Sequence, residues 1–449
     1  MIGKGSFVTA NDTNVTNSRN VASAVPRLFA SSDGCSCGSC RSRLEGTLTR
    51  PPLRSRLKII RLPDTWRPPW TSPPFVLLAQ CCAWPPTDAR DAVISRSAAD
   101  IGERAFVALA KRHRVEGLAH AALARVQARL TESLAARAGE IARQGLIQAA
   151  ESVRLQTAFD AAAVPSLMLK GAALEILAYG RLGLKSAWDI DILVAPANAS
   201  RAVRILEAAG YRLTNPAGRS GEAFDQWTTL SKECVFVSDT TSLVAELHWR
   251  LVDGDLLPGI GVASPAQTVD VAPGVGLRTL AADDLVAYLT AHGASHGWSR
   301  LKWLADLHAL LPNDPTALER LYRRAVTLGA GTCPALALRL CRRLFNLQIG
   351  DSLWGEIERD LKSRLLERIA LSAMSGAGGR EIAERPLIGD LVLTSHLLFG
   401  RGWAWRWAEF QRQWVSVHDQ THVRLPSPLR FFYTVIRLPL WLWRRLKRL

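Results

Sequence analysis

The sequence has little that would tie it to a membrane interior or to a disulfide-bonded exterior. No apolar run approaches the roughly 20 residues that cross a bilayer, and the first residues are polar, without the apolar run of a secretory signal. Its eight cysteines do not form a framework. Cys35, Cys37 and Cys40 cluster, Cys81 and Cys82 are adjacent, and Cys234, Cys333 and Cys341 sit singly in apolar surroundings. No second C-x₂-C and no suitably spaced His follows the first cluster, which argues against structural zinc. Scattered reduced thiols point instead to the cytoplasm. Net positive charge is also scarce where a nucleic-acid groove would need it. The net +16 is carried by the ends, with eleven Lys/Arg against four acids in residues 1–70 and ten against two in residues 401–449. The near-neutral middle reads as an ordinary globular body, so no nucleic-acid partner is expected.

What is present is a long, 48% hydrophobic chain of 449 residues, enough for two or three domains. Residues 1–70, rich in Ser, Asn, Arg and Pro, read as a disordered basic extension. Residues 71–163 carry apolar positions three and four apart and form a helical N-terminal region. It opens with a short buried helix ended by Pro85-Pro86 and closes with a long helix from Thr131 to Ala163, broken near Gly145. Residues 164–278 alternate strand and helix patterns and form an α/β core. Within that core, residues 219–225 read as loop, and 251–275 as loop with one short strand. From Thr279 to about Phe399 the pattern is helical again, within a helical domain of residues 279–425. A basic aromatic tail, 426–449, ends the chain. The fold class is α+β: a small mixed sheet flanked by N- and C-terminal helical regions.

The densest chemistry lies in Val164 to Val194, which reads as strand, Lys-Gly turn, short helix, loop and strand. Asp189 and Asp191 are two apart on the second strand, so both carboxylates face one way. Ile190, Ile192, Leu193 and Val194 around them mark the strand as buried, and buried acids need a partner. A metal ion meets that need; a salt-bridged pair or a solvated strand end would leave the same letters. Lys170-Gly171 ends one strand and opens a helix, where free N–H groups favour anions. Glu233–Val237 and Ser242–Trp249 read as a hairpin, with Glu246 and His248 sharing a face of its second strand. Further on, His292 and His296 are one helical turn apart, followed by Trp298, Arg300, Trp303 and Asp306. Trp303 reads as packing.

LMLKG, KSAWDIDILV, VAELHW and AHGASHGWSRLKWLADLHALL, in that order, resemble an uncharacterised nucleotidyltransferase family of bacteria within the polymerase-β-like superfamily. The likeness runs from Phe75 to Leu311, with looser helical similarity beyond. It implies transfer of a nucleoside monophosphate from a nucleoside triphosphate to a hydroxyl acceptor with two Mg²⁺ ions. Asp189, Asp191 and Glu246 would be catalytic and metal-binding; Lys170, Gly171 and Lys185 would bind the nucleotide. His248, His292, His296, Arg300 and Asp306 would be accessory. Two departures stand out: Lys170-Gly171 in place of the superfamily's Gly-Ser, and Lys185 where the family often has Arg, which keeps the charge but loses the bidentate fork. The alternative is a degenerate, nucleotide-binding scaffold at the inner membrane face. Phe431, Phe432, Tyr433, Trp441 and Trp443, interleaved with Arg and Lys in the tail, suit peripheral contact with an anionic membrane.

Overall fold

The computed structural model describes residues 69–186, 188–216, 222–374 and 381–414. The basic extension, except its last residues, and the whole aromatic tail therefore lie outside the described residues.

Helices α1 (Pro73–Cys82), α2 (Asp88–Ala98), α3 (Glu103–His113), α4 (Glu116–Arg125) and α5 (Glu132–Ala161) lead in. α5 runs unbroken through Gly145. Its buried stripe of Leu134, Ala138, Ile141, Gly145, Gln148, Ser152, Leu155 and Phe159 keeps the three-and-four spacing throughout. Gly145 is on that stripe, where a Cβ would stand 3.5 Å from the Gly183 backbone. The glycine serves close packing there, at a helix cost of about 1 kcal/mol, and does not end the helix.

The sheet follows. β1 (Ser166–Met168), α6 (Ala172–Tyr179), β2 (Asp189–Val194), α7 (Ala199–Ala208), β3 (Tyr211–Asn215), α8 (Glu222–Leu230), β4 (Glu233–Ser238) and β5 (Val244–His248) give the strand order β1-β2-β5-β4-β3. β2 and β5 are parallel and the other pairs antiparallel, so the sheet is mixed. α8 replaces the expected loop over 222–225, because a helix brings Phe224 and Trp227 onto the core on one side. Trp227 then donates its indole N–H to the Glu233 carbonyl at 2.9 Å. Residues 251–275 also hold more strand than their Gly and Pro content suggests. β6 (Ala266–Ala272) and β7 (Val275–Leu280) form a hairpin through Gly274, with Val269 and Leu277 turned inward. Thr279 belongs to β7, and the next helix starts at Ala282.

α9 (Ala282–Ser295), α10 (Leu301–Leu310), α11 (Pro315–Thr327), α12 (Cys333–Phe345), α13 (Asp351–Arg359), α14 (Leu361–Met374), α15 (Pro386–Ser395) and α16 (Gly402–Trp414) complete the described chain. Among the described residues no helix is long and apolar enough to cross a membrane. Two buried clusters position the site. One face of the sheet (Ile190, Ile192, Val194, Ala245, Leu247, Cys234, Phe236) packs on Phe159 of α5 and on α7. A larger cluster unites Phe75 and Phe106 of the leading helices with Tyr288, Trp298 and Phe345 of the later ones. The helical regions on either side of the sheet in sequence thus share one core. The opposite face of β2 and β5, by strand alternation, is where Asp189, Asp191, Glu246 and His248 stand.

Candidate active site

Register decides which acids meet. In the parallel pair, Asp191 lies opposite Glu246 and Asp189 opposite Val244. In the antiparallel pair, Glu233 lies opposite His248. These pairings gather Asp191, Glu246 and His248, one ligand atom from each lying within 4.8 Å of the others. All three are buried, at 2%, 2% and 1% exposure. Asp189, at the first position of β2, is only partly buried and is not in this cluster.

His248 is the hub. Its Nδ1 is 3.1 Å from Glu233 Oε2, and its Nε2 is 3.3 Å from Asp191 Oδ1 and 3.5 Å from Glu246 Oε2. Two lysines close the charge balance: Lys170 Nζ lies 2.7 Å from Asp191 Oδ1, and Lys232 pairs with Glu233. The protonation preferences follow from this packing. Burial alone would raise Asp191, but Lys170 and His248 reverse it and hold the carboxyl below its usual range. Burial pushes Glu246 up to about 7, helped by the charge of Glu233. Glu233 is drawn down to about 2 despite its burial, chiefly by Lys232 and then His248. Burial opposes a charged His248, yet Glu233, with Asp191 and Glu246, holds it up at about 8. Glu246 Oε1 has no hydrogen-bond partner, while Asp191 Oδ1 and the His248 ring nitrogens meet only the charged groups just named. Buried polar atoms left this way are costly. Two carboxylates and an imidazole are a donor set that a divalent cation satisfies.

The turn before α6 supplies the second half of the site. Gly171 has φ +68° and is the N-cap of α6. A Cβ there would lie 3.3 Å from the Gln148 amide nitrogen. Gln148, itself buried, donates that same amide to the Asp189 carbonyl, tying α5, the turn and β2 together. Leu169 N–H donates to the Asp191 carbonyl at 3.0 Å, which fixes the end of β1 beside the acidic strand.

The remaining sequence candidates divide into two groups. Lys185 and Asp306 form a buried ion pair at 2.8 Å, with Tyr179 donating its hydroxyl to the other Asp306 oxygen at 2.9 Å. The Lys185 loop is held further by Glu175, which accepts the Leu184 and Lys185 N–H groups at 2.6 and 2.9 Å. It also rests on Gly117, where a Cβ would come within 2.5 Å of the Leu184 carbonyl oxygen. His292 and His296 belong to an aromatic wall. Their rings are 4.6 Å apart, and His296 stacks on Trp303 at 4.9 Å. Burial keeps both imidazoles neutral, pushing His296 down to about 3 with Lys232 and Lys170 adding to the effect. Tyr288, buried and 5.5 Å from His292, extends the wall toward Lys170. Arg300 pairs with Glu381 at 3.1 Å, and Arg112 reaches the same carboxylate at 3.5 Å.

Glu233, Lys232 and Tyr288 are the participants that motif reading passes over. The hairpin gave a usable signal for the first, since pairing its strands end to end puts Glu233 against His248.

Residues 99–346, more than half of the chain, match the model of a family described as an uncharacterised nucleotidyltransferase, and the chain belongs to that family. No curated protein matches it.

Proposed function

From that membership, we propose that the protein transfers a nucleoside monophosphate from a nucleoside triphosphate to a hydroxyl acceptor, as a polymerase-β-like enzyme of the cytoplasm. The observation that carries the reading is the buried cluster of Asp191, Glu246 and His248, with one ligand atom of each within 4.8 Å of the others, one strand away from a positive-φ glycine at a helix N-terminus. Asp191 and Glu246 would hold Mg²⁺, and Asp189, at the mouth of the same sheet face, would serve a second ion. Bound there, the metal would neutralise charge on the phosphoryl oxygens. The chain does the rest. Gly171 and the first N–H groups of α6 receive a phosphate, which a Cβ at Gly171 would obstruct. Lys170, beside them, counters its charge. In the overall exchange, the acceptor hydroxyl gives up its proton to solvent as its oxygen bonds to the α-phosphorus, the bond to the β-phosphate breaks, and pyrophosphate leaves. His292 and His296, kept neutral, line the cleft without adding charge, and Arg300 closes it from the helical side. Lys185 and Asp306 act on each other, clamping the 181–186 loop to α10, and the division into residues 71–163, 164–278 and 279–425 marks lead-in, catalytic core and covering helices.

The test is incubation of the purified full chain with labelled ATP, CTP, GTP and UTP, Mg²⁺ and cell extract, following which label moves to what. Asp191→Asn and Glu246→Gln should abolish transfer while circular dichroism stays unchanged. Transfer that persists in both would refute the assignment.

One observation favours a second reading, nucleotide binding without turnover. The catalytic acids already have protein cations against them, with Lys170 on Asp191 and His248 between Asp191 and Glu246. Nucleotide binding with no label transferred under any condition would decide for it. Either way, peripheral membrane contact has support beside the tail: α16 exposes Trp403 (73%) and Trp407 (50%) just before it.

A further inference from the structure

Lys302 is the second residue of α10 and is 5% exposed. Among the described residues its ammonium has no ion pair and no hydrogen bond. Buried lysines are rarely left so: the contact its charge does make is with the Trp303 ring, and the ammonium is not among the fully enclosed polar atoms without a partner. Burial holds this one down at about 7, and Arg114, Arg300 and Lys185 push the same way against Asp189 alone. Lys185 and Arg300 are already matched to Asp306 and Glu381. An apolar side chain of similar length would fill the space at lower cost, so packing does not explain the residue.

Its position does. Lys302 Nζ is 6.0 Å from the centre of the Trp303 ring, and the Arg300 guanidinium is 5.8 Å from the same ring. That ring carries His296 on its face and meets His292 edge-on at 6.0 Å. The wall continues to Tyr288, whose buried hydroxyl, like His292 Nε2, has no hydrogen-bond partner. One aromatic surface therefore links the carboxylate cluster to a pair of buried cations on the first turn of a ten-residue helix, where the helix dipole also favours an anion. A ligand with negative charge spread along several ångströms would meet both ends.

We propose that Lys302, with Arg300 beside it, is an anion subsite that takes the distal phosphates of a nucleoside triphosphate, so that pyrophosphate leaves toward α10. The existence of the subsite stands on Lys302 and its surroundings; the identity of the anion as a triphosphate rests on the transfer reading above.

The probe is inorganic triphosphate, titrated calorimetrically into the full chain in EDTA. Wild type should bind it. Lys302→Met should weaken binding at least about tenfold, the loss of one charge-assisted contact, while Lys302→Arg stays within about threefold. Lys302→Met should also melt no lower than wild type, a combination that a merely structural lysine would not give. Binding by folded Lys302→Met equal to wild type, or no triphosphate binding by wild type, overturns the proposal. Label transfer by wild type, measured beside triphosphate affinity, separates the two readings. If triphosphate binding depends on Lys302 but wild type transfers no label, the subsite stands and the transfer reading falls. If wild type transfers label and Lys302→Met alters neither affinity nor transfer, this inference alone falls.

Discussion

The Lys185–Asp306 pair tests whether a basic residue just ahead of the acidic strand serves the ligand or the fold. The pair is 2.8 Å long, with 5% and 2% exposure, and Asp306 also accepts the Tyr179 hydroxyl at 2.9 Å. Asp306→Leu would leave a buried ammonium without its counter-charge, a loss of about 3–5 kcal/mol. The orphaned Tyr179 hydroxyl would add about 1–3 kcal/mol. A buried ion pair is itself close to neutral against an apolar replacement, because both charges lose hydration. Lys185→Met/Asp306→Leu/Tyr179→Phe should therefore recover to within about 2 kcal/mol of wild type. Urea unfolding followed by tryptophan fluorescence reads this directly, as midpoint shifts at constant slope. The triple variant should also keep wild-type affinity for triphosphate. If the triple variant is as unstable as Asp306→Leu, the clamp argument is wrong. If it folds normally but loses the nucleotide, Lys185 is a phosphate ligand after all, as the family resemblance implies.

Two further outcomes follow from the site. Gly171→Ala should destabilise by about 1–3 kcal/mol, because φ is +68° and the new Cβ meets the buried Gln148 amide at 3.3 Å; nucleotide affinity, measured by equilibrium dialysis, should fall with it. The histidines should titrate apart in an NMR pH series. His248 should protonate near 8 and His296 near 3. For His248 the folded value lies above the unfolded 6.5, so its contribution of about 2 kcal/mol is complete below pH 6.5 and disappears as pH rises through 8. For His296 it lies below, so its neutral form costs nothing above pH 6.5 and stability falls as pH drops from 6.5 toward 3. A His248 resonance that titrates below 6 would contradict the cluster's charge balance.

Much of this site is legible in the letters because local rules govern it. Alternation along DIDILV and VAELH puts Asp189, Asp191, Glu246 and His248 on one face of the sheet. The Lys-Gly turn falls where a strand must give way to a helix. The parts that were not legible depend on partners far along the chain. Lys185 reads as a phosphate contact through the family resemblance; its ion-pair partner in the fold, Asp306, lies far along the chain. Gly145 reads as a helix break because its packing partner, Gly183, belongs to a loop. Residues 251–275 read as loop with one short strand because inward positions on β6 are few, with Val269 its lone buried residue.

Register also reorders the acids themselves. Sequence spacing treats Asp189 and Asp191 as equals, but only Asp191 sits across from another carboxylate. Asp189 opens the strand, faces Val244 and leaves its carbonyl to Gln148. The two aspartates therefore have different surroundings: Asp191 is held ionised among Lys170, His248 and Glu246, while Asp189 stands nearer the rim, where its charge acts on Lys302. A ligand that bridges from the inner acid to the buried lysine would meet carboxylates at one end and an ammonium at the other. That path needs a cation at its inner end and an anion at its outer end, which is the charge pattern of a metal-bound polyphosphate.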